Sequence, residues 1–343
     1  MSYQLQLLAL SWNKWSGIHG ISNEELVCRS IIVIPLVRKA NMFGRKPSDN
    51  SQPNEESNMT GLIKISGCDN PNQRGDVVFV HGLGGHPLKT WHPEEKLDNK
   101  SWLYWLGEDL KNVGVWTFGY KAEFSNWKGR AMPRFDQARN LMKSLENEQL
   151  GEDKPLIFIT HSLGGLLVKE VLRNADTYDK QEFINKIKGI VFLATPHNGS
   201  HLANTVGILS KILRTTESVQ ELEDNNPWLR DLDVWYRQKV NNRNYQIATE
   251  VYYEAWDTSG YKVVNAASAD PKLLDVMPVS VDANHITIAK PKSRRDDVYK
   301  GVKNFIQKHL KSIPQLPPVD STPLQISATK DTVPQVEENK DPQ

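Results

Sequence analysis

The run Leu156-Ile-Phe-Ile-Thr-His-Ser-Leu-Gly-Gly-Leu-Leu-Val-Lys169 decides how the rest of the chain is read. It passes from an apolar, β-favouring stretch through a serine and two glycines into a segment of helical character. If the chain turns sharply there, Ser162 Oγ projects above a sheet. Gly164 and Gly165 then leave out the side chains that would collide as a helix departs from the strand. This is the spacing of a nucleophile elbow, G-x-S-x-G, with Thr160 in the place of the first glycine. Ser-x-Gly alone also fits an ordinary strand-to-helix turn, so its neighbours must decide.

Working outward, Asp76-Val-Val-Phe-Val-His-Gly-Leu-Gly-Gly-His86 is a strand followed at once by a glycine-rich turn. Acyl transfer develops negative charge on a carbonyl oxygen, and preorganised backbone N–H groups stabilise it. The expected donors are Leu163, directly after the serine, and Leu83 in the turn, with Gly82 and Gly84 lining the substrate beside them. A phosphate-binding reading of this loop lacks the Gly-Lys-Ser/Thr of a P-loop and the spacing of a dinucleotide fingerprint.

A serine nucleophile in this architecture needs an acid and then a histidine later in the chain. His285, in Val281-Asp-Ala-Asn-His-Ile-Thr287, fits the base, while His309 falls in the closing helix and reads as exposed. His161 abuts Ser162 but points away from it, and reads as support for the turn. His197, in Leu193-Ala-Thr-Pro-His-Asn-Gly-Ser200, is expected to line the site. His81, His86 and His92 share no helix face and have no cysteine or H-E-x-x-H partner, so no metal is expected. The acid candidates are Glu254, Asp257, Asp270, Asp275 and Asp282. Glu254 directly ends a predicted strand, and Asp257 would replace it if that strand ran longer.

Apolar runs alternate with helical periods between about 61 and 310, which predicts an α/β fold. Strands are expected at Leu62–Ser66, Asp76–His81, Val113–Phe118, Leu156–Thr160, Gly189–Ala194, Gln246–Tyr253 and Tyr261–Asn265. Most lack alternation, as strands of a mostly parallel sheet covered by helices on both faces should. Phe135, Ala138, Met142 and Leu145 repeat at helical spacing, as do Val298, Val302 and Phe305. An insertion over about 201–244 holds no strand and reads as a helical cap, with Asn226-Pro227 opening one of its helices. Residues 1–60 read as an N-terminal extension and polar linker. Residues 311–343, with six prolines and no aromatic residue, read as a disordered tail.

Composition sets the outer limits. Across 343 residues, 42 Lys and Arg face 41 Asp and Glu, a net charge of +1, which gives no electrostatic case for wrapping nucleic acid. Only Cys28 and Cys68 are present, so no disulfide framework stabilises a fold of this size, and a reducing compartment fits. The most apolar stretch, 26–37, is broken by Arg29 and Pro35 and falls short of the ~20 residues a bilayer requires. A soluble, cytoplasmic protein is expected; the charge run Lys290 to Arg295 reads first as a solvated turn before the last helix, and second as a peripheral contact for an anionic membrane.

V-F-V-H-G-L-G-G-H, T-H-S-L-G-G-L-L-V-K, F-L-A-T-P-H-N-G-S and V-D-A-N-H-I-T-I-A-K-P occur in this order with sensible spacing. Together they resemble the serine-active-site-containing, lipase-like branch of the α/β-hydrolases, whose relatives include the glycosylphosphatidylinositol inositol-deacylases. Asn198 stands where an arginine is common in T-P-H-R-G-S. The resemblance implies an eight-stranded-type sheet and a serine esterase acting on carboxylic esters, of lipid type, without a cofactor. It makes Ser162 the nucleophile and His285 the base, and puts a glutamate at the position of Glu254. Two other readings share the sequence: a catalytically silent interaction module with the Pro-rich tail as its protein contact, and an acyltransferase using the same acyl-enzyme.

Overall fold

The structure, a computed structural model, describes residues 59–122, 133–198, 202–212 and 227–310. The expected tail 311–343 and all but the last two residues of the expected extension 1–60 lie outside these. Among these residues seven strands form one sheet. They are β1 (Gly61–Ser66), β2 (Asp76–Val80), β3 (Gly114–Gly119), β4 (Leu156–His161), β5 (Ile187–Leu193), β6 (Ala248–Glu254) and β7 (Val279–Val281), in the order β1-β3-β2-β4-β5-β6-β7. Every pairing is parallel except β1 with β3. Parallel strands need crossover connections, and helices supply them: α1 (Trp102–Asp109), α2 (Pro133–Asn147), α3 (Gly164–Thr177), α4 (Gln181–Lys186), α5 (Leu202–Ile212), α6 (Pro227–Asn241) and α7 (Ala266–Ala269). The last helix, α8 (Asp297–His309), follows β7.

Strand periodicity sorts the core into two layers. Val78, Val80, Phe158, Ile190 and Phe192 turn toward α2, α3 and α6, meeting Leu141, Leu145, Leu166 and Tyr236. Val77, Phe79, Ile157, Ile159 and Val191 turn toward α1 and α8, meeting Trp102, Leu106, Val302 and Phe305. Both faces of the central strands are thus buried, which is why their sequences are continuous apolar runs. In the second layer Phe79 meets Trp91 and Trp102 edge-on, each at 5.0 Å between ring centres. Such pairs add about 0.5–1.5 kcal/mol each beyond their buried area.

Two expectations need correction. Tyr261–Asn265 is not a strand. Tyr261 joins only an isolated bridge to Thr258, while Val263 and Val264 are buried in irregular chain leading to α7. The strand next to β6 is instead β7, three residues long. It follows Pro278, and a half-exposed segment so short carries little hydrophobic signal. His309 is half-buried, its ring 4.6 Å from that of Phe305 one turn earlier. The insertion over 201–244 contains α5 and α6, and α6 packs on α3. Tyr236 is fully buried and Trp235 lies on Tyr245, so both are core.

Candidate active site

Six residues of β4 deliver the chain to Ser162, which adopts φ 53, in the left-handed region that non-glycine residues seldom occupy. Its N–H donates to the Leu193 carbonyl at 2.8 Å, fixing the turn to the end of β5. Thr195 Oγ1 donates to the Ser162 carbonyl at 2.9 Å. The glycines are required by contact. A Cβ on Gly82 would come within 2.7 Å of Ser162 Cβ, one on Gly164 would strike the Val80 carbonyl, and one on Gly165 would strike Thr195. Thr160 fits where a glycine was expected because its hydroxyl points to β5 and donates to the Val191 carbonyl at 3.0 Å.

His285 lies on the loop after β7, fully buried, with Nε2 2.9 Å from Ser162 Oγ. Its Nδ1 lies 3.4 Å from Glu254 Oε1, a separation at the long limit and not aligned as a hydrogen bond. Glu254 is the last residue of β6 and is buried. Oε1 also accepts the Val264 N–H at 2.5 Å, while Oε2 has no partner among the described residues. Asp257 is half exposed and faces Lys262 Nζ at 3.6 Å, and Asp282 accepts the Trp256 indole N–H. Asp270 accepts the Lys272 N–H at 2.7 Å. The structure therefore brings together Ser162, His285 and Glu254, and leaves Asp257, Asp270 and Asp282 on contacts of their own and Asp275 exposed.

Gly82 lies directly over Ser162. The Tyr120 hydroxyl donates to the His81 carbonyl at 2.7 Å, and its ring stacks on the His81 imidazole at 4.5 Å. Gly84, at φ 63, donates its N–H to the Ala122 carbonyl at 2.9 Å. Among the described residues, neither the Leu83 nor the Leu163 N–H donates to a protein acceptor. Burial brings the His81 imidazole down to about 4, so it is neutral near pH 7.

His197 is fully buried, with its ring edge-on to Phe192 at 4.6 Å and its N–H donating to the Ser268 carbonyl at 2.7 Å. It is not brought onto Ser162 or His285. Burial, and then the nearby Lys169 charge, hold its imidazole well below the usual range. Two contacts to the base were not legible in sequence. Thr258 Oγ1 accepts the His285 N–H, and His161 Nε2 donates to the His285 carbonyl. Only the Thr258-Ser-Gly-Tyr261 turn signal hinted at the first.

A mostly parallel sheet with helices on both faces, and a serine on a strained strand-to-helix turn above it, define the α/β-hydrolase fold. Residues 73–224 match the family described as "Putative serine esterase (DUF676)". The chain is 31% identical over 261 residues to Protein SERAC1 of Homo sapiens, and 31% over 259 residues to Protein SERAC1 of Danio rerio. These matches cover 69% and 68% of this chain, and the chain spans 39% of the length of each relative. Among solved structures, Bacillus licheniformis lipase BlEst2 matches at 14% identity and a TM-score of 0.46, over 73% of this chain and 98% of that one. Phospholipase PlaB from Legionella pneumophila matches at 18% identity and a TM-score of 0.42, over 57% of this chain and 44% of that one. No helix among the described residues is long and apolar enough to cross a membrane.

Proposed function

We propose that this chain is a serine hydrolase that cleaves carboxylic esters of lipid type through an acyl-enzyme. Ser162 Oγ attacks the ester carbonyl while His285 Nε2 takes its proton, and Glu254 orients the imidazole and stabilises the imidazolium. The tetrahedral oxyanion accepts from the N–H groups of Leu83 and Leu163. Collapse breaks the bond to the alcohol, which leaves with the proton from His285. Water, deprotonated by His285, then attacks the acyl carbon and releases the acid and Ser162.

The observation that carries this reading is the 2.9 Å approach of His285 Nε2 to Ser162 Oγ at a residue held at φ 53. It is supported by the Leu83 and Leu163 N–H groups, which among the described residues donate to no protein acceptor. Gly82 leaves room at Ser162 for the substrate carbonyl, and Gly84 sets the turn that presents Leu83. No cofactor enters these steps.

Labelling with a fluorophosphonate should place a single adduct on Ser162, and Ser162→Ala should lose both adduct and turnover while keeping its fold. An adduct elsewhere, or none on a folded sample, would favour a silent interaction module instead. Acyl transfer shares the acyl-enzyme, and product analysis with an added alcohol separates it from hydrolysis. A panel of acyl-chain lengths and lipid head groups then defines the substrate.

A further inference from the structure

His285 stands on irregular chain between β7 and the short turn at Thr287–Ala289, where no ladder or helix fixes its backbone. Its two main-chain polar groups are taken by side chains instead. The N–H donates to Thr258 Oγ1 at 3.0 Å, and the carbonyl accepts from His161 Nε2 at 2.8 Å. A carbonyl can only accept, so the proton of the His161 ring sits on Nε2. All three residues are buried. Burial takes the His161 imidazole down to about 3, so it stays a neutral donor across the working range of an esterase.

Each jaw is itself fixed. His161 ends β4 and immediately precedes Ser162, and its ring lies 5.1 Å from that of His285. Thr258 and Tyr261 exchange two backbone hydrogen bonds, at 2.8 and 3.0 Å, around Ser259 and Gly260, which have φ 51 and 82. Two positive φ values between paired residues make the tight hairpin turn with the least freedom to splay. That hairpin follows Glu254 by four residues. One jaw thus moves with the nucleophile and the other with the acid.

We infer that His161 and Thr258 are positioning residues that clamp the main chain of His285, and so set the reach of its ring to Ser162. The inference rests on the serine hydrolase reading above. Neither residue touches the reacting atoms. They act through the base, where a displacement of about 1 Å costs on the order of a hundredfold in rate.

Thr258→Val keeps the shape of the side chain and removes the acceptor, whereas Thr258→Ser keeps the hydroxyl. In Thr258→Val, fluorophosphonate labelling of Ser162 and kcat for a p-nitrophenyl ester should both fall about tenfold to a hundredfold, with KM within about twofold. Thr258→Ser should restore both, and His161→Leu should behave like Thr258→Val. Amide hydrogen exchange at His285 should quicken in Thr258→Val and not in Thr258→Ser. A folded Thr258→Val with wild-type kcat and unchanged exchange at His285 would overturn the clamp. So would a loss that Thr258→Ser fails to restore. Absence of labelling in the wild-type protein would instead overturn the hydrolase reading, while exchange at His285 would still decide the clamp.

Discussion

At Ser162 the backbone is held at φ 53 by groups at the ends of two strands: the Leu193 carbonyl and the Thr195 hydroxyl at the end of β5, and the close approach of Gly82 beyond β2. Such a conformation costs on the order of 1–3 kcal/mol and persists because its surroundings over-determine it. The same density of contacts separates the carboxylates. Glu254 is buried 3.4 Å from His285 Nδ1, whereas Asp257 is half exposed beside Lys262. Glu254→Gln should therefore lower kcat by roughly 10² to 10⁴, because an amide neither favours the right tautomer nor stabilises the imidazolium, while Asp257→Asn should cost little. Purified variants ranked the other way would transfer the role to Asp257. At this scale the sequence was informative because chemistry requires particular residue types: a serine before small residues, a histidine near the chain's end and a carboxylate at a strand end. What it hid was orientation. Nothing in Thr160 announced that its hydroxyl would be satisfied by Val191 on β5 and so could replace a glycine.

Among the elements, α3 and α6 meet through an unusual pair. Lys169, fully buried on α3, lies 3.6 Å from Asp233 of α6, with its ammonium 4.6 Å from the centre of the Tyr236 ring. Burial pulls Lys169 down to about 8, a larger effect than the opposing attraction of Asp233. The unfolded chain therefore holds a proton between about pH 8 and 10.5 that the folded chain does not, so folding stability rises with pH across that window. Relative to Lys169→Met, the wild-type protein should gain on the order of 3 kcal/mol over it. Denaturant unfolding of both at pH 7.5 and pH 10.5 checks this, and a constant difference would show that the ammonium is better solvated than its burial implies. Element type was readable wherever the period was unambiguous, as in the Val298, Val302, Phe305 face of α8. It failed at Tyr261–Asn265 because local composition cannot say what a backbone N–H will find. The Val264 N–H meets the Glu254 carboxylate and not a strand.

For the molecule as a whole, burying uncharged imidazoles has a consequence in acid. His81 and His161 are brought down to about 4 and about 3, and His197 is also held low. Below their ordinary value of 6.5, the unfolded chain takes up protons that the folded chain refuses, so stability falls as pH drops from 6.5 toward 4. His81 and His161 each contribute a slope of at most about 1.4 kcal/mol per pH unit in this window, and His197 acts in the same direction. Urea midpoints measured at half-unit intervals should fall steadily through this range, and a flat profile would mean that the rings have access to water.

The contact between Ser162 and His285 joins residues 123 positions apart, and the site also draws on the ends of β2, β5 and β6. Closing so long a loop comes late, after the sheet that brings its ends together. Turnover then serves as a clock for the final step of folding. On dilution from denaturant, the far-ultraviolet dichroism should recover first and esterase activity should trail it, because secondary structure forms strand by strand while hydrolysis must wait for the whole circuit to close.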